Sequence, residues 1–219
     1  MTTLYFIRHG KTEWNLGGRY QGARGDSPLL DSSYVEIEEL ATFLKPIHFD
    51  HLYTSPLKRT QVTSAALKRD LGQDFPITVV DALHEFNLGL MEGMRFTEVE
   101  KQYPTIVKAF REAPAEYDPT EIKGETFEQV IERTTQAIDA IVKAAKPTDH
   151  IIIVSHGAAM VAMMQSLLKT PLAQVRKDGG VTNSSVTTMT TDDQGASFKL
   201  IKWNDTHFLS KQLSATDTI

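Results

Sequence analysis

Two short apolar runs near opposite ends of the chain constrain its fold more than any other feature. Residues 4–7 are followed by Arg8, His9 and a glycine, and residues 151–154 by a serine, His156 and a glycine. Four apolar residues in a row are typical of a strand buried on both faces, as in a parallel sheet covered by helices. Because ligands of such sheets bind beyond the carboxyl ends of the strands, we expect chemistry at these polar residues.

The composition indicates one globular domain over residues 1–219, without targeting or membrane segments. Of the 219 residues, 41% are hydrophobic, and the formal net charge is −5. An acidic chain argues against nucleic-acid binding, and no apolar run is long enough for a membrane helix. The lack of cysteine excludes disulfides, thiolate metal sites and cysteine nucleophiles. Since the first residues also lack the features of a secretory signal, we expect a cytoplasmic protein.

Strand and helix patterns alternate along the chain. Strands are predicted at residues 4–7, 51–54, 76–80 and 151–154, with a terminal hairpin of residues 185–190 and 198–203. Helices are predicted from a capping box at Ser33 to Pro46, from an N-cap at Ser55 to about Leu71, from Thr126 to about Ala145, and after Gly157. This alternation predicts a three-layer α/β/α fold with a mostly parallel, doubly wound sheet.

Two segments lack a regular pattern. Residues 10–31 form a polar, glycine-rich loop directly after the first strand, and loops of that length are usually functional or disordered. Residues 86–123 contain short helical pieces interrupted by glycine and proline. We interpret this second segment, called the lid below, as a short helical insertion into the domain.

Chemistry-bearing side chains follow several predicted strands and can therefore meet at one edge of the sheet. They are Arg8, His9, Arg59, Glu85 and His156. Two arginines would bind phosphoryl oxygens in forked pairs, one neutral imidazole would attack phosphorus, and the other would donate to the equatorial oxygens. Glu85, kept protonated by the phosphate charge, would give a proton to the leaving oxygen and later take one from water.

Five motifs occur in order over nearly the whole chain. They are Arg8-His9-Gly10-Lys11-Thr12 with Asn15, Tyr20-Gln21-Gly22 before Asp26-Ser27-Pro28-Leu29, Ser55-Pro56-Leu57-Lys58-Arg59-Thr60, Leu83-His84-Glu85 with Gly89 and Glu92-Gly93, and Val154-Ser155-His156-Gly157. Together they resemble the histidine phosphatase superfamily, which includes cofactor-dependent phosphoglycerate mutases and their phosphatase relatives. The resemblance implies a phosphoglycerate-mutase-like fold.

The same resemblance implies roles for the site residues. His9 would be the phosphorylated nucleophile, Glu85 the general acid, and the other three members of the set would hold the phosphoryl group. Asn15 and Gln21 fall on positions that touch phosphate in the family. We expect the substrate-binding residues to be Asn15, Gln21, Gly22, Arg24 and Gly157, and we expect no metal.

The choice between phosphatase and mutase depends on the lid. Family mutases bind a bisphosphorylated intermediate and carry adjacent arginines on their insert. This lid is short and has no arginine pair; its cationic residues are Arg95, Lys101, Lys108, Arg111 and Lys123. We therefore expect a phosphatase acting on small phosphomonoesters without a cofactor. 2,3-Bisphosphoglycerate would be needed only if the chain were a phosphoglycerate mutase.

Two further hypotheses compete with this prediction. In a metal hydrolase, His9, His156 and Glu85 would be ligands, but two nearby arginines would repel a divalent cation, and chelator treatment separates the cases. A catalytically silent phosphate-binding module is disfavoured because nucleophile, acid and clamps are all present; turnover of an aryl phosphate decides. The expected partner is a small phosphorylated substrate, without nucleic acid or membrane, for a monomer or a homodimer.

Overall fold

The structure is a computed structural model that describes residues 1–214 and 216–218. Within these ranges six strands form one sheet in the order β3-β2-β4-β1-β5-β6. The strands are β1 (Thr2–Arg8), β2 (His51–Thr54), β3 (Ile77–Val79), β4 (His150–Ser155), β5 (Val186–Thr191) and β6 (Lys199–Asp205). The first four run parallel, whereas β5 is antiparallel to β1 and to β6. The mostly parallel sheet and the terminal hairpin are therefore confirmed.

Helices cover both faces of this sheet and build the lid. They are α1 (Glu13–Leu16), α2 (Asp31–Leu44), α3 (Lys58–Leu71), α4 (Phe96–Gln102), α5 (Pro104–Glu112), α6 (Phe127–Ala144) and α7 (Gly157–Leu167). Short 3-10 turns lie at Asp81–Leu83, Gly89–Met91, Pro114–Glu116 and Leu172–Gln174. Within the described ranges, none of the helices has the length and apolar character needed to cross a membrane.

Alternating side chains of β1 pack on opposite faces of the sheet, as the pleat of a strand requires. Leu4 and Phe6 belong to the apolar cluster with α6 and α7. Tyr5 and Ile7 belong to the cluster with α2 and α3. Both faces of the central strand are buried for this reason, and the three-layer α/β/α prediction is confirmed.

The register between β1 and β4 sets the position of the two histidines. Arg8 is paired with Ser155 across these parallel strands. His9 and His156 are the next residues of their chains, so the same register places them side by side at the carboxyl edge. The backbone amide of His9 donates to the carbonyl of Ser155 at 3.1 Å, which extends the pairing by one step.

The lid has an apolar core of its own beside the sheet. Phe86, Phe110, Tyr117 and Phe127 pack with ring centroids 5.0 to 5.5 Å apart. The lid contains α4 and α5, as the irregular helical pattern predicted, and it packs against the start of α6 through Phe127. Aromatic packing thus holds together a segment made of short helices and turns.

Two predicted helix starts are wrong, because the serines concerned bind other groups. Helix α2 begins at Asp31 after Leu30, and the buried Ser33 hydroxyl donates to the Lys11 carbonyl at 2.8 Å. Helix α3 begins at Lys58, three residues beyond Ser55.

The polar loop also contains an element that its composition did not predict. Helix α1 forms inside residues 10–31, and Thr12 caps it in a reciprocal pair with Asn15. The predicted capping box of Thr126 and Gln129 at the start of α6 is confirmed.

Candidate active site

The five predicted catalytic residues meet at the carboxyl edge of the sheet, and we call them the histidine centre. They are Arg8, His9, Arg59, Glu85 and His156, and none is more than 3% exposed. β1 and β4 end next to the two histidines, the first turn of α3 carries Arg59, and the turn at Asp81–Leu83 precedes Glu85. The two imidazole rings have centroids 5.3 Å apart.

His9 is held as a neutral imidazole with a defined tautomer. Its Nδ1 lies 2.8 Å from the Gly10 carbonyl oxygen, which can only accept, so Nδ1 carries the proton. Burial, together with the charges of Arg59 and Arg8, keeps the pKa of His9 well below its usual value. The unprotonated Nε2 is consequently available as a nucleophile.

His156 is also neutral, with the opposite tautomer. Nε of Arg59 donates to its Nδ1 at 3.2 Å, and its Nε2 donates to the Ser55 hydroxyl at 2.7 Å. Burial and the neighbouring Arg59 hold the pKa of His156 well below its usual value. Ser55 therefore orients a histidine of the centre instead of capping α3, a role that its position before a proline did not indicate.

Arg8 presents an unsatisfied edge inside the centre. Its Nη1 donates to the carbonyls of Val181 at 2.7 Å and Asp217 at 2.8 Å. Its Nε and Nη2 are buried and have no hydrogen-bond partner among residues 1–214 and 216–218. Burial lowers the pKa of Arg8 to about 10, so the group stays charged at neutral pH. A buried cation with two free donors is suited to bind an oxyanion.

Arg59 differs from the forked phosphate clamp that its chemistry suggested. It donates to the carbonyls of Gly25 at 2.8 Å and Gly22 at 3.1 Å, to Asp26 at 3.2 Å, and through Nε to His156. These four bonds engage four of the five donors of a guanidinium. Arg59 thus joins the polar loop to His156. To form a forked pair of hydrogen bonds with an oxyanion, Arg59 would first have to break its bonds to the loop.

Glu85 is held by backbone amides at the start of α7. Its Oε1 accepts from Phe86 and Ala159, each at 2.8 Å, and its Oε2 accepts from Ala158 at 3.1 Å. The positive end of the helix dipole lies at the same place. These contacts orient both carboxyl oxygens beside His156, which precedes α7.

The comparisons with known proteins follow this geometry. A family model described as the histidine phosphatase superfamily (branch 1) matches residues 4–206. The chain belongs to this superfamily. It is accordingly an enzyme of the histidine phosphatase and phosphoglycerate-mutase-like type.

Individual relatives of this histidine phosphatase include both reaction types. It is 32% identical over 167 residues to the uncharacterized phosphatase PhoE of Bacillus subtilis (strain 168), covering 76% of this chain and 78% of PhoE. It is also 32% identical over 171 residues to a 2,3-bisphosphoglycerate-dependent phosphoglycerate mutase of Cytophaga hutchinsonii, covering 77% of this chain and 78% of the mutase. The solved structure of Bacillus stearothermophilus YhfR matches with a TM-score of 0.87 at 30% identity, covering 95% of this chain and 99% of YhfR.

In this histidine phosphatase, two predicted substrate-binding residues lie at the base of the polar loop. Asn15 Oδ1 accepts from the Thr12 amide at 3.1 Å, and Gln21 Oε1 accepts from the Thr12 hydroxyl at 2.7 Å. Both side chains are buried. Asn183, which the sequence did not single out, connects them to the nucleophile because its Nδ2 donates to the His9 carbonyl at 3.0 Å.

The glycines among the predicted substrate-binding residues lie against the histidine centre. Gly157 begins α7 directly after His156. Gly22 is close to Arg59, and an added Cβ there would lie 2.5 Å from Glu92 Oε1, so the approach requires glycine. Arg24, in contrast, is exposed, and its backbone amide donates to Glu92 at 2.9 Å.

Arg133 is a positioning residue that sequence reasoning missed. Its Nη1 donates to the carbonyls of Ala82 at 2.7 Å and His84 at 2.8 Å, and its Nη2 donates to the Glu85 carbonyl at 3.1 Å. An ion pair with Glu125 at 2.9 Å holds the guanidinium. Nothing in the sequence marks this arginine, because backbone carbonyls from another segment are its partners.

The metal-hydrolase alternative finds no ligand set in the described part of the chain. In residues 1–214 and 216–218, no group of three or more His, Cys, Asp or Glu side chains is arranged to hold a metal ion. The centre instead combines two neutral imidazoles with two buried guanidinium groups.

Proposed function

We propose that this superfamily member hydrolyses small phosphorylated metabolites through a phosphohistidine on His9, with Glu85 as general acid and base. One observation carries the proposal. Two donors of Arg8 are buried without a hydrogen-bond partner in the described residues, and the next residue, His9, has a neutral imidazole. A phosphoryl oxygen satisfies those donors, and the neutral ring supplies the nucleophile. The proposed reaction needs no cofactor. We also propose that the protein is cytoplasmic and that it is a monomer or a homodimer.

In the first step the phosphoryl group moves to the enzyme. Nε2 of His9 forms a bond to phosphorus while the bond from phosphorus to the ester oxygen breaks. Glu85 in its acid form gives its proton to that oxygen, and the alcohol leaves. The proton on Nδ1 of His9 stays on that nitrogen and continues to donate to the Gly10 carbonyl, which stabilises the charged phosphohistidine.

In the second step water takes the place of the alcohol. The Glu85 carboxylate accepts a proton from water as the water oxygen bonds to phosphorus, and the bond from phosphorus to His9 breaks. Inorganic phosphate leaves, and both residues return to their starting states. Arg8 stabilises the charge that develops on the equatorial oxygens. The Nε2 proton of His156 adds to this when it turns from the Ser55 hydroxyl to a phosphoryl oxygen.

The same centre would also serve a phosphoglycerate mutase, which is the second candidate. A relative of that name is as similar to this chain as the phosphatase PhoE is. In a mutase the phosphohistidine passes its phosphoryl group to a second hydroxyl instead of to water. The lid, which lacks adjacent arginines, favours hydrolysis.

A substrate panel with and without 2,3-bisphosphoglycerate tests the proposal. Phosphate release and conversion of 3- to 2-phosphoglycerate are measured in parallel, and a sample quenched at alkaline pH is analysed by mass spectrometry for a phosphorylated His9 peptide. We expect phosphate release without the bisphosphate and a phosphate on His9. Conversion that depends on 2,3-bisphosphoglycerate would favour the mutase, and a phosphoenzyme modified at another residue would contradict the mechanism.

A further inference from the structure

A second cavity lies between the lid and the loop after α7, and neither the predicted site nor the proposed reaction uses it. Its volume is about 340 Å³. It is lined by Tyr20, Phe96, Phe110, Arg111, Arg176, Gly179, Gly180 and Thr218. We call it the Arg176 cavity.

The Arg176 cavity adjoins Arg8 through the backbone. Gly180 of its lining precedes Val181, and Thr218 follows Asp217. The carbonyls of Val181 and Asp217 are the two groups that accept from Arg8. Since neighbouring residues are about 3.8 Å apart along the chain, Gly180 and Thr218 of the cavity lie one residue from the groups that hold Nη1 of Arg8, the guanidinium whose Nε and Nη2 form the proposed phosphoryl-binding edge.

Arg176 is held rigidly at this cavity. Its guanidinium lies 4.8 Å from the ring centroid of Phe110, and its Nε and Nη2 atoms are buried. Burial lowers the pKa of Arg176 to about 10, so Arg176 stays charged at neutral pH. A planar cation stacked on an aromatic ring loses little freedom when it binds an anion.

Arg111 supplies a second cation from the opposite side. It belongs to α5 of the lid, where its Nη2 donates to the Tyr20 hydroxyl at 3.2 Å and its Nη1 pairs with Glu100 at 2.5 Å. Two arginines that are far apart in the sequence thus line one cavity, with Glu100 as the acidic partner of one of them.

We propose that the Arg176 cavity binds a second anionic group of the substrate, a carboxylate or a phosphate, while the histidine centre holds the phosphoryl group to be transferred. This inference rests on the proposed phosphatase function. The substrate class is accordingly a small phosphomonoester with a second acid group, which the two guanidinium groups bind by charge-assisted hydrogen bonds. Arg176 and Arg111 are its specificity-determining residues.

Matched aryl phosphates test this assignment. The substrates are 3-carboxyphenyl phosphate, its neutral 3-carboxamide analogue and 1,3-phenylene bisphosphate, and kcat/KM is measured for each with wild type, Arg176→Met, Arg176→Lys and Arg111→Met. Arg69→Met serves as the control, because Arg69 lies in α3 and its side chain is 65% exposed. The ratio of anionic to carboxamide ester reports on the cavity and cancels effects on the chemistry.

We expect wild type to prefer the anionic esters, and Arg176→Met to lower that preference about tenfold to a hundredfold. Arg176→Lys should restore part of it, Arg111→Met should lower it a few-fold because Arg111 is exposed, and Arg69→Met should leave it unchanged. If wild type has the higher kcat/KM for 3-carboxyphenyl phosphate, the second acid group is a carboxylate. If it has the higher kcat/KM for 1,3-phenylene bisphosphate, the second acid group is a phosphate.

Failures of the two proposals give different results. Hydrolysis of all esters with no anionic preference, or a preference that survives in Arg176→Met, would overturn the cavity assignment and leave the phosphatase intact. No hydrolysis of any ester would overturn the proposed function and the substrate class together. If Arg176→Met does not fold, an unchanged ratio in the exposed variant Arg111→Met overturns the assignment.

Discussion

The histidine centre and the lid are built in different ways. Each residue of the centre lies at the end of a strand, after a turn or at a helix start. Backbone groups hold the side chains of His9 and Glu85, and the side chains of Arg59 and Ser55 hold His156. The lid consists of short helices and turns around an aromatic cluster, and its polar contacts reach neighbouring segments through long side chains such as Arg111.

This difference separates reaction from selectivity. The two histidines of the centre take their positions from strand register, and a contact that the lid makes with Glu85 is the backbone amide of Phe86, which does not depend on the lid's side chains. The Arg176 cavity, in contrast, exists only where the lid packs against the loop after α7. Changes in the lid can therefore alter the preferred substrate while the centre continues to transfer phosphoryl groups.

The largest effect is expected for the nucleophile. His9→Ala removes the atom that bonds to phosphorus, so turnover of p-nitrophenyl phosphate should fall at least about 10⁴-fold. Inorganic phosphate should still bind, because the free edge of Arg8 is unchanged, and calorimetry measures this. His48→Ala, at an exposed position, is the control. Retained turnover would remove His9 from its proposed role.

A smaller effect, which depends on the substrate, is expected for the proton donor. Glu85→Gln keeps the size of the side chain but removes its acid, so esters of alkyl alcohols should slow about 10²- to 10⁴-fold. Activated aryl esters should slow less, since their leaving groups need no proton. A plot of kcat/KM against the acidity of the leaving group measures the difference.

Equal slowing across that series would argue against proton donation by Glu85. The matched control is Glu121→Gln, because Glu121 lies exposed on the lid. The same substitution there should leave the whole series unchanged, which would separate the centre from the lid.

The stability of the lid should be sensitive to a side chain at Gly89. Gly89 has φ of +53°, and an added Cβ would lie 1.8 Å from the Ile122 carbonyl oxygen, so Gly89→Ala should lower the free energy of unfolding by about 2 kcal/mol or more. Gly72→Ala is the control, because its φ is +65° but no atom of residues 1–214 and 216–218 lies within 4 Å of the added Cβ. Urea unfolding of both variants measures the difference.

For Gly72→Ala we expect a loss of about 1 kcal/mol, from the left-handed backbone alone. Phosphate affinity should survive in Gly89→Ala if the two regions are separable as described. A loss of phosphate binding together with stability would show instead that the lid supports the centre directly.

The two neutral histidines predict an effect of pH on stability. The pKa of both His9 and His156 is held low in the folded protein, whereas in the unfolded chain it is about 6.5. Below pH 6.5 the unfolded chain therefore binds more protons, and the folded state loses about 1.4 kcal/mol per pH unit for each histidine until the folded pKa is reached. Above pH 6.5 neither histidine contributes to the pH dependence.

Urea unfolding between pH 7.5 and 5 measures this slope. His9→Asn should remove about half of the acid destabilisation assigned to the pair, whereas the exposed His48→Asn should not change it. The same slope in His9→Asn and wild type would contradict the buried, neutral state of His9.

Much of the architecture was predictable, and the failures have a common cause. The central strands and the hairpin follow from local apolar patterns, and the grouping of His9 with His156 follows from the carboxyl-edge rule for parallel strands. The start of α2 was wrong because Ser33 binds the loop, and the start of α3 because Ser55 binds His156. A residue pattern does not reveal which of several partners a serine will take.

The sequence by itself determined the order of strands and helices, the family and the identity of the chemical groups, because apolar periodicity and short motifs are properties of neighbouring residues. Only the tertiary structure decided that Arg8 keeps a free edge while Arg59 is engaged by the loop, and that Arg176 meets Arg111 at one cavity. These outcomes depend on contacts between residues far apart in the chain, where packing and backbone carbonyls, which carry no residue signal, choose the partners.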